Sequence, residues 1–143
     1  MSRQLVTKLS DRQCFTLTEK DTLKTASEKL QKHNVGVMPV LSEQDKNVIG
    51  IISERDLARY IYRDEFKSDL SVIKIMTKDI ISCNLNTSVT QLMEIISNHK
   101  IRHILIIEEK KLLGIVSIGD VVNHIIEQYK DENQHLRDFI NKY

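Results

Sequence analysis

The chain has no tryptophan, and aromatic residues make up only 5% of its 143 positions. With 41% apolar residues overall, a core is affordable, but it has to be built from Ile, Leu and Val. There are only two cysteines, Cys14 and Cys83. They are not spaced as CxxC and cannot form a disulfide framework, so they read as packing residues. A charge excess is missing too: 21 basic residues face 20 acidic ones. That removes the basic footprint expected of a nucleic-acid or anionic-membrane binder. No apolar run approaches the ~20 residues of a membrane span. The opening "MSRQLVTKLSDRQ" is too polar for a secretory h-region. These absences predict a soluble cytoplasmic protein of one domain, or of two small halves sharing a core.

What the chain does have is a device used twice. "GIISERD" at residues 50–56 returns as "GIVSIGD" at residues 114–120. Laid against each other, Thr16 faces Ser82, His33 faces His99, Val35 faces Ile101 and Val40 faces Ile106. Past Gln44 and Lys110 the second copy is shorter by two residues, after which Gly50, Ser53 and Asp56 face Gly114, Ser117 and Asp120. A turn tolerates such a deletion. The sequence is an internal duplication.

Each copy predicts the same element order. A short strand ("CFTL"; "IISC") precedes a helix capped by Asp21 or Thr22, or by Thr87 or Ser88, with Leu23, Ala26 and Leu30 or Val89, Leu92, Ile95 and Ile96 on its apolar face. Two β-rich runs follow, joined by polar turns at residues 42–46 and at Glu109 and Lys110. A second helix starts after each SxxD, and the last one is long enough to reach past the core. The expected fold is α/β (α+β): two tandem β-α-β-β-α repeats packed with pseudo-two-fold symmetry. Its expected divisions are 1–66 with an N-terminal lead-in, a linker 67–79 with short helical turns, and 80–143 with an extended final helix. A copy of roughly 50 residues is below the size that usually folds alone, so the two must bury their sheets together. Equivalent pockets then lie along the seam.

The repeated Ser-x-x-Asp suits a nucleotide. A serine where a strand turns into a helix caps that helix, and the first amides form an anion site. An aspartate three residues on is favoured by the helix dipole, and its carboxylate can accept two bonds from vicinal hydroxyls such as those of a ribose. The preceding glycine lets backbone approach a ligand or a neighbouring strand. The same four residues are also an ordinary capping arrangement, with the aspartate returning a bond to the cap amide.

Tandem GhhSxxD motifs in this order resemble a CBS-domain pair, or Bateman module. "SERDLAR", "IMTKDII", "IRHILII", "GIVSIGDVVNHIIE" and the tail "LRDFI" resemble more closely the small bacterial proteins made of such a pair alone. The resemblance runs from about Phe15 to the second SxxD helix. It implies a regulatory module that binds AMP, ADP or ATP, or else S-adenosylmethionine, and needs no other cofactor and no metal. It places Asp56 and Asp120 at the ribose, and Ser53 and Ser117 near ribose or phosphate. The adenine is expected against Val37, Met38 and Pro39 in one copy and His103, Ile104 and Leu105 in the other. Arg102, beside His103, stands where many members carry a phosphate-facing cation, and its guanidinium offers bidentate donors. An exposed arginine paired with Glu108 or Glu109 is the plainer alternative. Gly36 stands opposite Arg102, so the two sites are expected to be unequal. Arg55, Thr16, Thr22, Ser82 and Thr87 are looser candidates for ribose or phosphate contact, with Arg55 equally readable as a solvated helix residue.

His33 and His99 read as helix-end cations, and His124 and His135 lack metal-spaced partners. No nucleophile–base–orienter set and no P-loop is present, so turnover is not expected. Leu136, Phe139 and Ile140 form an apolar strip on the last helix. That strip, like the flat dimers common in the resembled family, points to a homodimer that signals to an unidentified protein target. A structural scaffold with vestigial pockets is the competing reading.

Overall fold

The computed structural model describes residues 4–142. Met1 to Arg3 and Tyr143, at the ends of the expected lead-in and final helix, lie outside the described residues. The first repeat contains β1 (Leu17–Thr18), α2 (Leu23–His33), β2 (Val37–Leu41), β3 (Val48–Ser53) and α3 (Glu54–Tyr62), preceded by a helix α1 (Leu5–Ser10). The second contains β4 (Ser82–Cys83), α4 (Val89–His99), β5 (His103–Glu108), β6 (Lys111–Ser117) and α5 (Ile118–Lys142). A 3-10 turn, Val72–Lys74, lies in the linker.

The duplication reaches the register. Each sheet has three strands, ordered β1-β2-β3 and β4-β5-β6, with the first pair parallel and the second antiparallel. The ladder slips at the same place in both, between Val40 and Leu41 and between Ile106 and Ile107. Thr22 caps α2 by accepting from the Thr25 amide at 3.2 Å. Ser88 caps α4 in a capping box completed by Gln91. The helices end on left-handed residues, Asn34 and Lys100, both at φ 53°, which turns the Val35 and Ile101 amides back onto the Leu30 and Ile96 carbonyls at 3.1 and 3.3 Å. The second hairpin turns on Glu109 (φ 51°) and Lys110 (φ 67°), the positive-φ pair a two-residue hairpin needs.

Pro39 occupies a central strand, where a missing amide is normally costly. Its counterpart Leu105 donates its amide to the Ile81 carbonyl at 3.3 Å, a bond Pro39 cannot make. The two-residue β1 pairs only with Val40 and Leu41, so the ladder starts just past the proline.

Two aliphatic cores result. One gathers Leu17, Leu23, Ala26, Leu30, Met38, Val40, Ile52 and Leu57. The other gathers Cys83, Leu92, Ile96, Ile104, Ile106, Val116 and Val121. Fully burying each large side chain contributes about 1.5–3 kcal/mol. Neither core is closed by its own repeat alone. Leu5 and Val6 of α1, ahead of the first repeat, complete the second core. Val72 and Ile75, ahead of the second repeat, complete the first.

The glycine of each GhhSxxD makes room for this exchange. A Cβ on Gly50 would stand 2.5 Å from Met76 Sδ and 3.1 Å from the Thr77 carbonyl oxygen. One on Gly114 would stand 3.1 Å from the Leu9 carbonyl oxygen. Thr77 also bonds Ile51 in both directions, at 3.0 and 2.9 Å. Gly50→Ala is therefore expected to cost about 1–3 kcal/mol through overpacking. Urea unfolding measures it, and an unchanged midpoint would mean that the crossing segment lifts away freely.

Candidate functional site

Ser53 ends β3 in an extended conformation and caps α3. Its hydroxyl accepts from the Asp56 amide at 3.1 Å, and Asp56 Oδ2 accepts from the Ser53 amide at 2.9 Å and hydroxyl at 3.0 Å. At the matching place in the second repeat, Ser117 accepts from the Asp120 amide at 3.1 Å, and Asp120 Oδ2 accepts from the Ser117 amide at 2.8 Å. Both aspartates are thus held rigidly by the capping box anticipated as the ordinary reading. The box uses one oxygen of each carboxylate and leaves Oδ1 for something else.

Each carboxylate lies in a cavity between the repeats. The first, of about 440 Å³, joins Ser53, Arg55 and Asp56 to the linker residues Thr77 and Asp79 and to Arg102. The second, of about 540 Å³, joins Ser117 and Asp120 to Arg12, Cys14, Phe15 and Asn34. Both volumes fall within the range of small-molecule sites, about 300–1,000 Å³. Each cavity therefore sets an SxxD of one repeat against the lead-in and the helix–strand junction of the other. Gly36, Val37 and His103 line both.

A family model for the CBS domain matches residues 6–63 and again 72–127. The chain is a CBS-domain pair. It is 33% identical over 137 residues to a mitochondrial CBS domain-containing protein of Arabidopsis thaliana, spanning 93% of this chain and 66% of that protein. The crystal structure of a CBS-domain containing protein from Agrobacterium tumefaciens is 35% identical with a TM-score of 0.75, over 82% of this chain and 90% of that one. A CBS domain protein of Pyrobaculum aerophilum complexed with AMP shares the fold at 24% identity, with a TM-score of 0.72 over 78% of this chain and 88% of that one.

In this CBS pair Arg102 and Arg55 line the Asp56 cavity. Arg102 is exposed and forms no ion pair with Glu108 or Glu109, so the alternative pairing does not occur. It reaches the Asp56 cavity across the seam from the other repeat. Leu105 lines the same cavity, and Val37 lines both. His103 stands between them. Burial lowers its pKa, Asp120 opposes this and Arg102 adds to it. The imidazole is therefore neutral at pH 7 and offers a hydrogen bond rather than a cation.

Other expected site residues have side chains placed elsewhere. Met38 and Ile104 are wholly buried in the helix-side cores. Side chains alternate along a strand, so the neighbours Val37 and Leu105 face the seam and these two do not. Pro39 is buried in β2 and lines neither cavity. Thr22 is occupied as a helix cap, and Thr87 accepts from the Asn84 amide in a turn. Thr16 precedes β1 and Ser82 begins β4, both outside the two linings. Cys83 is core, its thiol pushed up to about 11 by burial. Among the described residues no His, Cys, Asp or Glu cluster could hold a metal ion.

The sequence reading missed Arg12. Its guanidinium donates to both Asp120 oxygens at 3.0 Å and to the Ile115 carbonyl at 2.8 Å. Alignment of the lead-ins, which pairs Arg12 with Lys78, was the signal available. Burial acts to raise the Asp120 pKa, but the Arg12 and Ser117 donors outweigh it and the carboxyl titrates below its ordinary value. A folded pKa below the unfolded one gives stability that is complete above about pH 4 and lost as pH falls through the folded value. Arg12→Gln is expected to cost up to about 1 kcal/mol at neutral pH, as for a largely solvated pair. In urea titrations the difference from wild type should shrink below about pH 4, and a pH-independent difference would assign the loss to packing instead.

Proposed function

We propose that this CBS pair is a regulatory module that binds an adenosine-containing ligand, AMP, ADP or ATP, in the seam between its repeats and passes the bound state to a protein target. The observation that carries this reading is the pair of seam cavities, each presenting an aspartate fixed by its own helix cap, with Oδ1 outside the cap bonds in both. A ribose diol would donate to Asp56 and Asp120, and the amides and hydroxyls of Ser53 and Ser117 would lie at the ribose or phosphate. Arg55 and Arg102 would meet phosphates in the Asp56 cavity, with the base against Val37 and Leu105. The likeness to a CBS domain protein complexed with AMP supports the ligand class.

Isothermal titration with AMP, ADP, ATP and S-adenosylmethionine tests it. Asp56→Asn keeps an acceptor for the Ser53 amide while removing the charge that receives the diol. Loss of charge-assisted bonds worth about 1.5–3 kcal/mol corresponds to roughly 10–100-fold weaker binding. Saturable binding that Asp56→Asn or Asp120→Asn weakens to this degree supports the sensor. No binding of any of the four by ligand-free protein would leave a scaffold with vestigial pockets.

The same module is proposed to act as a homodimer. Tyr62 is 90% exposed at the end of α3, and Ile125, Ile126, Tyr129, Leu136 and Ile140 are exposed along α5. No helix among the described residues is long and apolar enough to cross a membrane, so this apolar surface is not a span. Light scattering after gel filtration is expected to give twice the 16.6 kDa chain mass, and Ile126→Lys to shift it toward monomer. A wild-type monomer at every concentration would end the dimer reading.

A further inference from the structure

Arg12 and Asp120 are 108 residues apart and meet in the second cavity. The guanidinium covers both oxygens of the carboxylate, and Oδ2 also serves the Ser117 amide. Oδ2 thus holds two donors and Oδ1 one, so a single acceptor position remains where the two hydroxyls of a sugar diol need two. The first cavity differs. Asp56 Oδ1 has only Arg59 of its own helix, 3.8 Å away, and Lys78, which aligns with Arg12, does not line that cavity. Among the residues lining the second cavity, Arg12 is the one permanent cation, since Arg102 lines the first and His103 is neutral.

A diol that donates twice to Asp120 must therefore displace Arg12, whose side chain is 50% exposed and so has solvent to move into. The displaced guanidinium needs another oxyanion. A phosphate on the same ligand supplies two parallel acceptors matched to the guanidinium fork, while an uncharged nucleoside supplies none. We propose that Arg12 is a specificity-determining residue, making the Asp120 cavity select phosphorylated adenosine ligands over the free nucleoside. This rests on the ligand class proposed above. It adds that the two cavities discriminate by different means, the second through a cation that a ligand must first release from the ribose carboxylate. Arg12 also ties the end of α1 to β6 through the Ile115 carbonyl. That clamp alone would affect all ligands alike.

The test is calorimetric titration of AMP and of adenosine into full-length Asp56→Asn protein, which confines tight binding to the Asp120 cavity. AMP is expected to bind at least about tenfold tighter than adenosine, the scale of one charge-assisted bond. Adding Arg12→Gln should bring the two within about twofold, by weakening AMP while leaving adenosine equal or tighter. Arg12→Lys, which keeps the charge and loses the fork, should give an intermediate ratio and serves if the glutamine variant does not fold. A ratio unchanged by either substitution overturns the proposal and leaves Arg12 a clamp. If wild type binds AMP but Asp56→Asn protein binds neither ligand, the Asp120 cavity is no nucleotide site and the inference falls while the proposed function stands. If wild type itself binds no adenosine ligand, both fall.

Discussion

The backbone of each lead-in rests on the outer strand of the opposite repeat, with only a glycine's width between them. Thr77 lies over Gly50 and Leu9 over Gly114. Everything else follows from these two crossings. A repeat of this size exposes too much of its sheet to be stable alone. The crossings bring Val72 and Ile75 to one core and Leu5 and Val6 to the other. The glycines are required by the approach of a backbone, since no glycine here has a positive φ. The residues just after each crossing then lie in the seam, where they become cavity wall.

In the proposed role, that arrangement makes capping and recognition parts of one device. The Ser53–Asp56 and Ser117–Asp120 boxes fix their carboxylates through bonds to backbone, so neither side chain has to be ordered when a ligand arrives. The capping bonds spend one oxygen and orient the other. Where the repeats diverge is the source of positive charge. Arg102 enters the first cavity from the facing repeat, and Arg12 enters the second from the lead-in. The duplication preserved the carboxylates and let the cations drift.

The duplication, the element order, the caps to within two adjacent residues and the matched hairpins were legible because each depends on local chemistry and on the copies agreeing. Three things were not. Helix α1 has six residues, too few to display a period, and its Leu5 and Val6 make sense only against a core more than 70 residues downstream. The orientation of β2 and β5 was hidden because both faces of these strands are apolar, so alternation separated Met38 from Val37 without saying which faced the seam. Arg12 looked like an unremarkable polar residue, since its partner lies 108 positions away. A residue's role here was readable when its partner was near in sequence and unreadable when the partner was reached by folding.

Gly36, Val37 and His103 belong to both cavities at once. They form a party wall, with no independent partition on either side. Any displacement of that wall by an occupant in one chamber alters the dimensions and hydrogen bonding of the other, and thermodynamic linkage makes the effect mutual. Ligands bound in the two chambers would then have correlated occupancies.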